Sequence, residues 1–227
     1  MIKLIIFDYD GVIADSFPLR YAIFKRICPA LGKRCPPTME GLKGIWGDHA
    51  GETLKRLGCS PDEIARGTNR FKEELDRAAV PLFAGIQQVL ETLAQSHVLV
   101  LLTANKESRI KTHLKDNDLE KYFTKIVGNE TLFTAEFKIK KEEKIVALLK
   151  EMRANPHETL FIADRDIDRR DARQAGIPDG HIILTDYGYG HTKRQLWRID
   201  TPEHILRVIR EIETEPSRRT QQNGREQ

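Results

Sequence analysis

The chain opens on Ile2-Lys3-Leu4-Ile5-Ile6-Phe7, a nearly unbroken apolar, β-branched run that predicts a buried strand. From residue 16 the period changes. Phe17, Tyr21, Phe24, Cys28 and Leu31 recur at spacings of three and four, the apolar face of a helix with Pro18 in its first turn. Pro36-Pro37 ends that pattern, and Thr38 is placed to cap a short helix through Leu42 and Ile45. A second short helix over residues 50–57 stops at Gly58. Ser60-Pro61-Asp62-Glu63 has capping-box spacing with proline at the first helical position, and the helix it opens carries Ile64, Phe71 and Leu75. No strand pattern occurs in this stretch, so residues 16–79 are expected to form an all-helical insert.

Beyond it, strands and helices alternate. Ile86, Val89, Leu90 and Leu93 form a helix face, and residues 97–102 form a buried strand ending at Thr103. Ile110 and Leu114 mark a helix, and Ile126-Val127-Gly128 a short strand. A helix with Ile145, Leu148, Leu149 and Met152 stops before the Asn155-Pro156 turn. Thr159-Leu160-Phe161-Ile162-Ala163 is the next strand, ending at Asp164, and His181-Ile182-Ile183-Leu184 the last. This alternation predicts an α/β fold with a mostly parallel sheet, its core made of residues 1–15 and 80–213. Residues 214–227 are polar and without apolar period, and are expected to be a disordered tail.

A length of 227 residues suits one large domain, or a core plus a small insert, and 40% apolar residues can fill a core. Lys and Arg exceed Asp and Glu by only 37 to 34, with no basic stripe interleaved with aromatics, so no nucleic-acid partner is expected. No segment approaches the roughly 18 apolar residues of a membrane span. The first strand begins at once, without a secretory pattern. Cys28, Cys35 and Cys59 are odd in number and lack CxxC spacing, which argues against a disulfide framework or zinc site. Buried free thiols in a reduced, cytoplasmic protein are the expectation. His49 and His97 have no partner spacing and read as structural or exposed.

The candidate chemistry lies at strand ends. Asp8 and Asp10 follow the first strand two residues apart, so both side chains point the same way, and Gly11 lets the chain turn. Two close carboxylates repel each other unless a cation or a shared proton intervenes, and magnesium takes oxygen ligands of this kind. The other reading is that the pair only ends a strand and shapes a turn. Thr103 and Asp164 also stand at strand ends. In a parallel sheet all three ends share one edge, where open α/β sheets bind ligands.

These residues carry a resemblance. Phe7-Asp8-Tyr9-Asp10-Gly11-Val12, Leu102-Thr103-Ala104-Asn105 and Phe161-Ile162-Ala163-Asp164-Arg165-Asp166-Ile167-Asp168 stand in the order and spacing of the first, second and fourth motifs of the haloacid dehalogenase superfamily. The chain resembles the subgroup with a helical cap after the first strand, near phosphoglycolate phosphatase and β-phosphoglucomutase relatives. Ala172 and Gly176, Pro81-Leu82-Phe83-Ala84-Gly85 and Tyr187-Gly188-Tyr189-Gly190 extend the likeness over about residues 1–210.

The resemblance implies a Rossmann-like core with an inserted cap over residues 16–79. It implies a magnesium-dependent phosphatase acting on a small phosphorylated metabolite. Asp8 would be the nucleophile and Asp10 the general acid and base. Thr103 would donate a hydrogen bond to the phosphoryl group; its other reading is a cap on the next helix. Mg²⁺ would bind Asp8, the Asp10 carbonyl and Asp164, with Asp168 either supporting the metal site or a solvated charge. A phosphomutase and a catalytically weak binding or regulatory protein are the alternatives. The third motif needs a lysine, and the usual Lys-Pro pair is absent. Spacing to the following helix in related sequences selects Lys141, with Lys138 next and Lys140 solvated. Ala163 and Arg165 depart from the pattern: a methyl there crowds the loop unless strand geometry accommodates it, and the arginine is expected to point away from the site, the alternatives being that it repels the metal ion or binds substrate phosphate directly. In the insert, Lys43 and Trp46 either face substrate or lie in water and in the helical core respectively.

Overall fold

The computed structural model describes residues 1–47, 49–129, 140–189, 197 and 199–214. They divide into two compact units, Met1–Ala14 with Leu82–Gln227, and Asp15–Pro81.

The first unit is built on five parallel strands, β1 (Leu4–Phe7), β2 (Val98–Lys106), β3 (Lys125–Asn129), β4 (Thr159–Ala163) and β5 (Ile182–Leu184), in the order β3-β2-β1-β4-β5. β1 lies at the centre, pairing Leu4 with Val98 on one side and with Thr159 on the other. All four of its residues are buried, as a strand covered on both faces requires. Alternation sends Leu4 and Ile6 to one face, where they pack with Val100, Leu102, Phe161, Ile145 and Leu148. Phe7 faces the other way and meets Phe123 edge to face, with centroids 6.3 Å apart. β2 is longer than expected and runs through Thr103 to Lys106, with an irregular register against β3 after Leu102.

Among its described residues the second unit holds four helices, α1 (Phe17–Ala30), α2 (Met39–Gly44), α3 (Ala50–Arg56) and α4 (Pro61–Arg77). Their starts are written locally. Thr38 accepts from the Gly41 N–H at 3.1 Å, and His49 Nδ1 accepts from the Glu52 N–H at 3.2 Å, which gives that histidine its structural role. Ser60 and Glu63 form a complete capping box. The buried face of α1 is Phe17, Ile23, Phe24, Ile27 and Cys28. Tyr21, expected on that face, is half-buried instead and donates its hydroxyl to the Pro37 carbonyl at 2.7 Å. Trp46 stacks edge to face on Phe17 and Phe24, each at 5.4 Å, which places it among the aromatic side chains of this unit. Lys43 is not solvated as one reading held: its side chain is 15% exposed, beside Glu40 at 3.3 Å and over the Phe17 ring. All three thiols are free; Cys28 and Cys59 are buried, whereas Cys35 is only half-buried.

The remaining helices belong to the first unit: α5 (Ile86–Leu93), α6 (Glu107–Asp116), α7 (Lys141–Glu151), α8 (Asp166–Gln174) and α9 (Glu203–Thr214). α9 packs on α5 and buries Ile205, Val208, Ile209 and Ile212. Their three- and four-residue spacing is a helix signal that the strand-by-strand reading passed over. Nearly all of the expected tail, from residue 215, lies outside the described residues. No helix among the described residues is long and apolar enough to cross a membrane.

The packing of β1 yields a stability test. Ile6 is fully buried and Val146 on α7 is 48% exposed. Ile6→Ala is expected to cost about 2–5 kcal/mol in denaturant unfolding. Val146→Ala is expected to stay within about 0.5 kcal/mol.

Candidate active site

Three loops converge at the carboxyl edge of the sheet. The first leaves β1 at Asp8, whose N–H still pairs with the Ile162 carbonyl of β4 at 2.8 Å, so the carboxylate starts from a rigid frame. Its Oδ1 accepts from the Tyr9 N–H at 2.7 Å. Its Oδ2 accepts from Lys141 Nζ at 2.5 Å. Lys141, the first residue of α7, reaches Asp168 Oδ1 as well, at 2.7 Å. Thus Lys141 joins the site, while Lys140 is exposed at the helix cap and Lys138 lies outside the described residues.

Asp164 follows β4 and is 1% exposed. Its Oδ2 accepts from the Tyr189 N–H at 2.7 Å. This approach depends on glycine. Gly11 has φ +77°, and a Cβ there would fall 2.1 Å from Asp164 Oδ2. A Cβ on Gly188 would fall 2.3 Å from the Gly11 carbonyl. The Thr185 hydroxyl donates to that same carbonyl at 2.9 Å, and Tyr187 donates to the Val12 carbonyl at 3.1 Å, so the late aromatic-glycine turn is tied to the first loop.

One oxygen each of Asp8, Asp164 and Asp168 lies within 4.8 Å of the others, all three side chains being buried. Asp168 is therefore no solvated charge. The Asp10 carboxylate is held separately, accepting from Asn105 Nδ2 at 2.6 Å and from the Tyr189 hydroxyl at 3.4 Å. Asn105 also donates its backbone and side-chain N–H groups to Thr103 Oγ1, at 3.1 and 3.0 Å. Those bonds use the oxygen's lone pairs and leave the hydroxyl hydrogen to be given elsewhere. Thr103 does not cap the next helix, since α6 starts only at Glu107. Asn105 and Tyr189 stood inside the quoted motifs without a role. Only the chain's path at the sheet edge brings them to Asp10.

The two departures resolve differently. The Ala163 methyl belongs to the core cluster beneath the sheet and crowds no loop. Arg165 does not point away. It turns in, and Nε donates to Asp168 Oδ2 at 3.3 Å from a side chain 29% exposed. It therefore adds a second fixed cation to the acidic cluster.

The electrostatics follow from burial and charge count. Burial pushes the Asp164 carboxyl up to about 8; Arg165 opposes the shift, and Asp168 and Asp8 add to it. Asp8 is raised too, chiefly by burial, against the pull of Lys141. Burial would raise Asp168 as well, yet Lys141 and Arg165 together hold it below the usual carboxylate range. Lys141 stays charged in spite of burial because Asp168 and Asp8 flank it. Three carboxylates face two cations, so full ionisation would leave one uncompensated negative charge, and the buried Asp164 carboxyl keeps its proton up to about pH 8 instead. Oxygen donors in this state fit a hard divalent cation.

Two measurements check this arrangement. Lys141→Ala leaves buried Asp8 without its counter-charge and Asp168 with Arg165 alone, and is expected to cost about 3–5 kcal/mol of stability, while Lys140→Ala leaves the unfolding midpoint in place. The second concerns pH. Asp164 ionises near 8 when folded and near 3.8 when unfolded, so between these values the folded state holds the extra proton. Metal-free protein should then lose stability as pH rises from about 5 to 8, by up to about 1.4 kcal/mol per pH unit for one proton. Asp164→Asn should flatten that slope.

A family profile described as haloacid dehalogenase-like hydrolase matches residues 5–180. A phosphoglycolate phosphatase from Synechococcus elongatus is 25% identical over 92% of this chain and 98% of its own length. A phosphorylated carbohydrates phosphatase from Thermotoga maritima is 26% identical over 92% of this chain and 99% of its own. Among solved structures, a haloacid dehalogenase-like hydrolase from Streptococcus pneumoniae superimposes with a TM-score of 0.79 at 22% identity, covering 92% of this chain and 98% of that one.

Proposed function

The chain belongs to the haloacid dehalogenase-like hydrolase family, and from that premise we propose that it is a Mg²⁺-dependent phosphatase acting on a small phosphate monoester. The names of its relatives favour phosphoglycolate or a sugar phosphate as the substrate class. The observation that carries the reading is Asp8, buried and aimed by Lys141 at 2.5 Å, beside an Asp10 whose carboxylate Asn105 holds at 2.6 Å.

In this reading Asp8 attacks the phosphorus and takes the phosphoryl group as an aspartyl-phosphate. The departing alcohol takes a proton from Asp10, which must be protonated at that moment. Asp10 then accepts a proton from the water that attacks phosphorus, and Asp8 leaves as the carboxylate. Asn105 and Tyr189 orient Asp10 for both transfers. Lys141 favours the ionised form of Asp8 and orients it, and Thr103 gives its free hydroxyl hydrogen to a phosphoryl oxygen. Asp8, Asp164 and the Asp10 carbonyl are the proposed holders of Mg²⁺, with Asp168 behind them. Bound there, the ion would offset the repulsion between nucleophile and phosphate. The helical unit Asp15–Pro81 is the proposed cap, and its three free thiols suit the cytoplasm.

The test is phosphate release from p-nitrophenyl phosphate, phosphoglycolate and a set of sugar phosphates, with and without magnesium. Wild type is expected to turn over only with the metal. Asp8→Asn is expected to fall by about three orders of magnitude or more. Isomerisation of a sugar phosphate without phosphate release would assign a mutase instead. No turnover together with no magnesium-dependent rise in melting temperature would assign a binding or regulatory protein.

A further inference from the structure

Arg165 is the residue the reaction above leaves unused. It stands at the cap position of α8, with no side-chain capping bond. Small oxygen-bearing side chains are favoured at a cap, and a positive charge there faces the positive end of the helix dipole. The position thus breaks two local preferences at once, as residues kept for a site often do.

Neutralising Asp168 does not explain it. Asp168 already has Lys141 on Oδ1 at 2.7 Å, and Arg165 takes the other oxygen through Nε alone. A guanidinium has five N–H donors. Among the described residues no acceptor takes the two terminal nitrogens of Arg165. The Nε bond therefore orients the fork, and the side chain is 29% exposed. The same Asp168–Lys141–Asp8 chain of contacts that anchors Arg165 leads directly to the nucleophile. Its charge is felt at Asp164 and Asp8 alike.

We propose that Arg165 is a substrate-binding residue whose terminal nitrogens grip the phosphoryl oxygens of the ester and of the phosphate product. A planar, always charged fork suits a phosphoryl dianion better than an ammonium does. The inference deepens the phosphatase reading and rests on it. In this chain, part of the positive charge facing the phosphoryl group is covalently fixed.

Inorganic phosphate is the probe, titrated calorimetrically into wild type, R165S and R165K at saturating Mg²⁺, with Mg²⁺ titrated separately into each. Asp168 keeps Lys141 in both variants, and R165K preserves the charge. R165S is expected to weaken phosphate binding about tenfold or more, with R165K in between, while Mg²⁺ affinity holds or tightens as a nearby positive charge is removed. Phosphate affinity unchanged in R165S overturns the proposal, and with tighter Mg²⁺ it makes Arg165 only a brake on the metal. No measurable phosphate binding by wild type overturns it too. The two readings fail separately. A wild type that binds phosphate through Arg165 yet hydrolyses no ester ends the phosphatase reading alone. A wild type that hydrolyses esters while R165S binds phosphate normally ends this one alone.

Discussion

The Lys141 ammonium between Asp8 and Asp168 is the interaction on which the site depends. Parallel strands deliver Asp8 and Asp164 to one edge, and α8 brings Asp168 beside them. Buried carboxylates so close are unfavourable by themselves. Lys141 makes the arrangement tolerable without completing it. Full ionisation would leave one negative charge in excess, and the buried Asp164 carboxyl holds a proton instead, its pKa pushed up to about 8. Oxygen donors in this state fit a divalent cation.

The backbone around this cluster is shaped to the same end. Gly11 and Gly188 are glycines because the Asp164 carboxylate and the first loop occupy the space their side chains would need. Thr185, Tyr187 and Tyr189 tie the late turn to that loop through the carbonyls of Gly11 and Val12 and the carboxylate of Asp164. Buried polar groups beside Asp8 are thereby paired. The half-buried Asp10 is held by Asn105 at 2.6 Å and Tyr189 at 3.4 Å, as its proposed role in proton transfer requires.

Much of this was legible in the sequence. The period changes at residues 16 and 80 mark the helical insert because helix and strand periodicities differ in kind. Asp8, Thr103 and Asp164 were readable because parallel strands put their ends on one edge. Lys141 was reachable only through the family resemblance, by the spacing that related sequences keep between this lysine and the helix that follows. Arg165 was misread, since side-chain direction at a helix cap depends on partners far away in sequence: Asp168 draws it in only because Asp168 itself is buried against Lys141. Asn105 and Tyr189 were beyond reach for the same reason, their target lying 95 and 179 residues away in the chain. Tyr21 shows the limit of periodicity, its hydroxyl preferring the Pro37 carbonyl to the helix face.

The central claim is that Asp8 carries the phosphoryl group. Acid quenching during turnover, followed by borohydride reduction and peptide mass spectrometry, reads this directly, because an acyl phosphate is reduced to an alcohol and a free carboxylate is not. The account requires homoserine at position 8 in quenched wild type, and none in protein without substrate. Steady turnover with Asp8 unmodified, or with the reduced residue elsewhere in the chain, would contradict it.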